Sequence, residues 1–318
     1  MKQFDFYNPI NHKGFLPIRV LAYNALEWFE KITPEFQKEI LEEIQFSGLQ
    51  QGIEYRIETA PIHTSAEITP EKKIILYENF NQFLWCMCYG LITLFDESIQ
   101  KPILQNKYDG KFDLENPYVR RSIDVFNNGF SLFKTYRESV FFSLPNPEKY
   151  NEFDKFYIEK ANGIYTAAMA FFLLHEFGHQ FYKHPEYFPD SADESKKEEL
   201  TADEYAFEKM ASQFNEEKEF TNKCGIIAGL SSLIFFDKTL SGGTNHPDPD
   251  SRLKILIEQM ELDELDNLWG IASLSFRLWA IQYNINWELP KEVENYKELF
   301  YLSLKLVNEK KEITTNNS

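Results

Sequence analysis

The sequence predicts a mainly α-helical protein with a small β region, an α+β arrangement, and three observations support this. From residue 78 onward the chain is dominated by stretches whose apolar residues recur at helical spacing. Short β-rich runs are found between residues 53 and 77. The longest nearly apolar runs, Ile164 to Leu174 and Ile226 to Phe236, are about eleven residues each, which suits buried helices and falls short of the roughly 20 that a membrane-spanning helix needs.

Taken in order, Thr33 as N-cap and Pro34 at the first helical position open a segment in which Phe36, Ile40 and Ile44 repeat every four residues, the pattern of an amphipathic helix. Gly48 and Gly52 break it. Alternation around Tyr55, Ile57 and Thr59, and the run at 72–77, predict two or three strands. Residues 78–95 are apolar on most sides and predict a buried helix, whereas 105–118 reads as an exposed loop. A long helix over about 150–182 is expected to end at His184-Pro185, because proline disfavours helix at the residue before it. The polar stretch Glu186 to Glu198 reads as a surface connection, followed by a helix over about 199–214. The expected organisation is a mixed helix and strand region over 1–78, a helical region over 79–308, and a flexible tail over 309–318.

Composition limits the function. With 318 residues, 43% hydrophobic, the chain can bury a sizeable core. A formal charge of -17 would repel phosphate backbones, so the expected partner is a protein or peptide, not nucleic acid. Cysteine occurs three times, and Cys86 and Cys88, two apart on a helix, point in different directions, so no disulfide framework is expected. The opening residues lack an apolar signal core, and a cytoplasmic location is expected, with no membrane partner.

His175-Glu176-Phe177-Gly178-His179 is an HExxH sequence. Residues four apart stack on a helix, so both imidazoles can reach one zinc ion, while Glu176 sits about 100° around the helix, beside the water it would activate. Ile164, Ala168, Phe171 and His175 share a helix face, which turns the ligands inward. A third histidine at the HExxHxxGxxH position is excluded, since residue 182 is tyrosine and 185 is proline. Downstream, Glu199 and Asp203 lie four apart: Glu194, Glu198 and Glu204 compete for the role of third ligand, Glu199 is favoured by its partner pattern, and Asp203 can accept a hydrogen bond from the far nitrogen of a ligand histidine. His12, His63 and His184 have no partner at ligand spacing and read as surface or packing residues.

HExxH, then the ExxAD of Glu199 to Asp203, then Asn245-His246-Pro247 before a helix resembles the wider group of glutamate-ligand zinc peptidases that includes the CAAX prenyl protease and the heat-shock protease. The chain is more closely similar to the phage-exclusion peptidases of the Lit type, which also carry a histidine-proline pair soon after HExxH, here His184-Pro185. The resemblance implies a zincin-like helical metallopeptidase core, with zinc on His175, His179 and Glu199 and Glu176 as base. It also implies a cytoplasmic role in antiviral defence, cleaving translation elongation factor Tu in the presence of a phage-derived peptide. His246 is the second catalytic candidate: it could donate to the oxyanion, bind zinc in a resting state, or be a turn histidine bonded to a backbone carbonyl. Arg252, one turn into a helix expected to be capped by Asp248, could support the site or pair with a nearby carboxylate. A general zinc peptidase without a defence role, and a non-catalytic module in which zinc staples two helices, stand as the alternatives.

Overall fold

The β-rich runs between residues 53 and 77 form one three-stranded sheet. The computed structural model describes residues 14–32, 53–70, 73–184, 189, 191–287 and 293–315. After a first helix, α1 (Ala22–Ile32), come β1 (Ile53–Arg56), β2 (Ala66–Ile68) and β3 (Ile74–Tyr77), in the spatial order β1-β3-β2. β3 is central, with Ile53 opposite Ile74 in the parallel pair and Ala66 opposite Leu76 in the antiparallel pair. All four β3 side chains are buried, as expected of a strand covered on both faces. The helix expected from Thr33 and Pro34 lies outside the described residues.

Helices follow: α2 (Glu78–Phe95), α3 (Lys101–Leu104), α4 (Pro117–Ser131), α5 (Lys155–Phe181), α6 (Ala192–Ala211), α7 (Glu219–Leu233), α8 (Pro249–Gln259), α9 (Asn267–Gln282) and α10 (Tyr296–Thr315). The predicted mainly helical class with a small β region is the observed one. Every residue of α2 is buried, which fits a segment apolar on most sides. Among the described residues no helix is long and apolar enough to cross a membrane.

The axis of the molecule is α5, whose 27 residues span about 40 Å at 1.5 Å per residue. It packs against α1, α2, α6, α7 and β2. Ala161, Ala167, Ala168 and Ala170, all good helix formers, are buried, and Ala167 and Ala168 lie where Gly225 of α7 comes close. Two hydrogen bonds fix its register on α2: Trp85 Nε1–H donates to Asn162 Oδ1 (2.8 Å), and the Tyr165 hydroxyl donates to Asn81 Oδ1 (2.5 Å). Each such bond stabilises by about 0.5–1.5 kcal/mol net, and an orphaned buried partner would cost more.

Two expectations need correction. α6 begins at Ala192, so half of the stretch read as a polar connection is helix. The cause is a cap: the Ser191 side chain accepts the Glu194 N–H at 3.2 Å, and Asp193 and Glu194 sit favourably in the positive first turn. The exposed loop expected over 105–118 stops at Asn116, which caps α4 by accepting the Tyr118 N–H at 2.9 Å, with Pro117 at the first helical position.

Cys86, Cys88 and Cys224 are free and buried. Burial pushes the Cys86 and Cys224 thiols up to about 12 and raises Cys88 as well. The thiolate is the reactive form, so native protein at neutral pH should react with none of its three thiols on the time scale on which the denatured chain reacts with all three. Titration with a thiol reagent checks this, and a fast native reaction would contradict the burial.

Candidate metal centre

The site is built where α5 and α6 run side by side, with a contribution from the turn before α8. His175, Glu176 and His179 come from the last two turns of α5, and Glu199 and Asp203 from the middle of α6. Small residues let these helices approach: a Cβ added at Gly178 would lie 3.2 Å from Ala202 Cα.

The two imidazoles face each other through Nε2 at 3.2 Å. Glu199 faces both rings with a different oxygen to each, Oε2 3.5 Å from His175 Nε2 and Oε1 3.3 Å from His179 Nε2. One donor atom from each residue lies within 4.8 Å of the others, and among the described residues this is the one group of histidine, cysteine and carboxylate side chains that could hold a metal ion. His175 and Glu199 are buried, and His179 is half-buried.

Asp203 stands behind His175, its Oδ1 2.9 Å from Nδ1 but off the ring N–H direction, which makes the contact an ion pair more than a straight hydrogen bond. The same carboxylate takes a bidentate pair from Arg252, whose Nε and Nη2 each donate at 2.7 Å. Arg252 Nη1 also lies 3.3 Å from Glu199 Oε2. Both partners are buried, so removing Asp203 alone would leave the guanidinium with only its Glu199 contact, at a cost of up to about 3–5 kcal/mol.

His246 reaches the cluster from outside. Its Nδ1 is 3.2 Å from Glu199 Oε2, while its side chain is 58% exposed. The turn that carries it is held from three directions. Ser195 of α6 donates its hydroxyl to the Asn245 carbonyl at 2.8 Å; the Gly242 N–H donates to Asp248 Oδ1 at 3.0 Å; and Lys311 of α10 binds Asp248 and Asp250. Only glycine fits at 242, where a Cβ would sit 2.2 Å from the His246 carbonyl oxygen. Asp248 does occupy the N-cap position of α8, but its side chain serves Gly242 and Lys311, not the helix. This corrects the expected capping role.

A further correction concerns His184. The sequence reads it as a surface or packing residue, since it is five residues from His179 and helix neighbours are three or four apart. The structure brings its Nδ1 to 2.9 Å from His179 Nδ1. The chain leaves α5 at Phe181 and turns at Lys183, whose φ of 62° is left-handed, and this reversal carries His184 back over His179. A histidine-proline pair just after the helix end is the one signal in the sequence that bears on it.

Electrostatics follow the geometry. Burial raises the Glu176 carboxyl above its ordinary value. Burial also opposes charge on Glu199, but hydrogen bonds from His175, His179 and His246 outweigh it and hold this carboxyl well below the usual range. For His175, burial is outweighed by the Asp203 and Glu199 carboxylates, which raise the imidazole to about 10. Burial and the neighbouring His179 push His184 down to about 4.

A metal ion can displace the His175 proton, since ligation needs the neutral imidazole. Metal uptake near pH 7 is therefore expected to release protons, and affinity to fall as the pH is lowered. Calorimetry in buffers of different ionisation enthalpy reads the release; uptake with none would contradict a protonated metal-free site.

A helical protein with two histidines and a glutamate so clustered, backed by further charged side chains, is of the class that could hold a metal ion. Residues 74–272, which include His175, Glu176, His179, His184, Glu199, Asp203, His246 and Arg252, match the family model described as Peptidase U49, and the chain belongs to that family of peptidases. No curated protein and no solved structure matches it.

Proposed function

We propose that the chain is a zinc-dependent endopeptidase, with the ion on His175, His179 and Glu199 and with Glu176 as the general base. The observation that carries this reading is the convergence of donor atoms from His175, His179 and Glu199. Ligands about 2.0–2.1 Å from zinc at tetrahedral angles are about 3.3–3.4 Å apart, close to the 3.2 Å between the two imidazole Nε2 atoms, and one atom from each of the three side chains lies within 4.8 Å of the others. Two imidazoles and one carboxylate, with a position left for water, are the donor set of catalytic sites; structural zinc sites are closed by four ligands, mostly cysteine and histidine. That difference favours catalysis over a zinc staple.

When bound, the ion polarises the scissile carbonyl and lowers the pKa of water toward about 7. Glu176 takes the proton from the attacking water and passes it to the leaving amine, a task suited to a carboxylate whose basicity is raised by burial. Asp203 and Arg252 hold His175 and Glu199 in place. His246, exposed at the lip and tethered at its turn, can donate to the oxyanion of the tetrahedral intermediate. An extended substrate can add to an edge of the sheet, and β2, the edge strand packed on α5, is the candidate.

The resemblance to Lit-type peptidases extends the reading to phage exclusion, with elongation factor Tu as substrate in the presence of a phage-derived peptide. Incubation of the purified protein with elongation factor Tu, with and without phage lysate, followed by mass spectrometry, tests it. A single cut that needs the lysate is expected, together with little activity on casein. Absence of any cut alongside robust casein degradation would favour a general peptidase.

A further inference from the structure

We propose that His184 is the positioning residue for His179: its Nδ1 accepts the Nδ1–H of His179 and so keeps His179 Nε2 bare toward the metal cluster. This rests on the metal-binding reading above. The two Nδ1 atoms are 2.9 Å apart, so one ring must donate and the other accept. His179 Nε2 faces His175 Nε2 and Glu199 Oε1, and to act as a ligand it must carry no proton. The proton of a neutral His179 is then on Nδ1, which makes His184 the acceptor, with its own proton on Nε2.

The arrangement parallels the one behind His175, where Asp203 occupies the space at Nδ1. Both ligand rings are thus backed, one by a carboxylate and one by an imidazole. A neutral partner suits the second position, because Glu176, Glu199 and Asp203 already concentrate negative charge and a further carboxylate would add repulsion. The His184 ring is held by its neighbours, stacked on Tyr182 with centroids 5.8 Å apart and edge-on to His179 at 5.0 Å. Lys183 adopts a left-handed φ to bring it there, a conformation that a non-glycine residue keeps only when its surroundings require it.

The test is zinc affinity, by competition with a chelator of known strength. His184→Leu keeps volume and removes the acceptor, and is expected to weaken zinc binding by about 10- to 100-fold. His184→Asn offers an amide oxygen in nearly the place of Nδ1 and should stay within a factor of about three of wild type. Long-range proton–nitrogen NMR on zinc-loaded wild type, which needs no variant to fold, should find His184 protonated on Nε2 and His179 on Nδ1.

Wild-type affinity in His184→Leu, equal losses in both variants, or a proton on His184 Nδ1 would each overturn the proposal while leaving the metal site standing. Absence of zinc binding by the wild-type protein would remove the metal-binding reading and this inference with it.

Discussion

The Glu176→Gln protein is expected to fold, to keep its metal and to lose hydrolysis by about 100- to 10,000-fold, the usual worth of a positioned acid–base group. Glutamine has nearly the same shape, and Glu176 is not one of the three clustered donors, so the substitution removes a proton acceptor and little else. Loss of a buried charge also lifts a desolvation cost, so the melting temperature should not fall. Turnover compared with metal content in the same preparation separates the two effects. Normal turnover would remove Glu176 from the mechanism, and loss of the metal would make it a ligand.

Glu199→Ala is expected to have the second large effect, this time on the metal itself. It deletes one of three donors and also the anion that His175, His179, His246 and Arg252 all approach within 3.5 Å. Zinc affinity should fall by more than the about 10- to 100-fold that follows loss of a partner one step removed from the ion. Glu198→Ala, one position away on α6 and half-buried, is the control and should keep the metal. Release of the ion by Glu198→Ala in place of Glu199→Ala would mean that the register of α6 against α5 is wrong.

These expectations rest on residues of unequal legibility. Helix α5 and its HExxH are encoded locally, because a four-residue spacing on an apolar face has one structural meaning. The sheet is legible for a similar reason, since alternation and β-branched residues cluster between 53 and 77. The start of α6 was also there to be read in Ser191-Ala192-Asp193-Glu194, a capping box, but the density of charge from Glu186 to Glu198 argues for loop and hides the cap. His184 is different in kind. Its approach to His179 depends on one left-handed residue, Lys183, and lysine carries no local preference for that conformation. The tether from Lys311 to Asp248 and Asp250 spans more than sixty residues and has no signal in either segment. Part of the stretch read as a tail is helix, since α10 continues to Thr315.

The measurement that bears most directly on the central claim is the zinc content of the purified protein after equilibration with the ion and removal of the excess. One zinc per chain in the wild type, and none in His175→Ala or His179→Ala proteins that remain folded, is the predicted result. Zinc retained by those variants as well as by the wild type, or a wild-type protein that holds none, would contradict it.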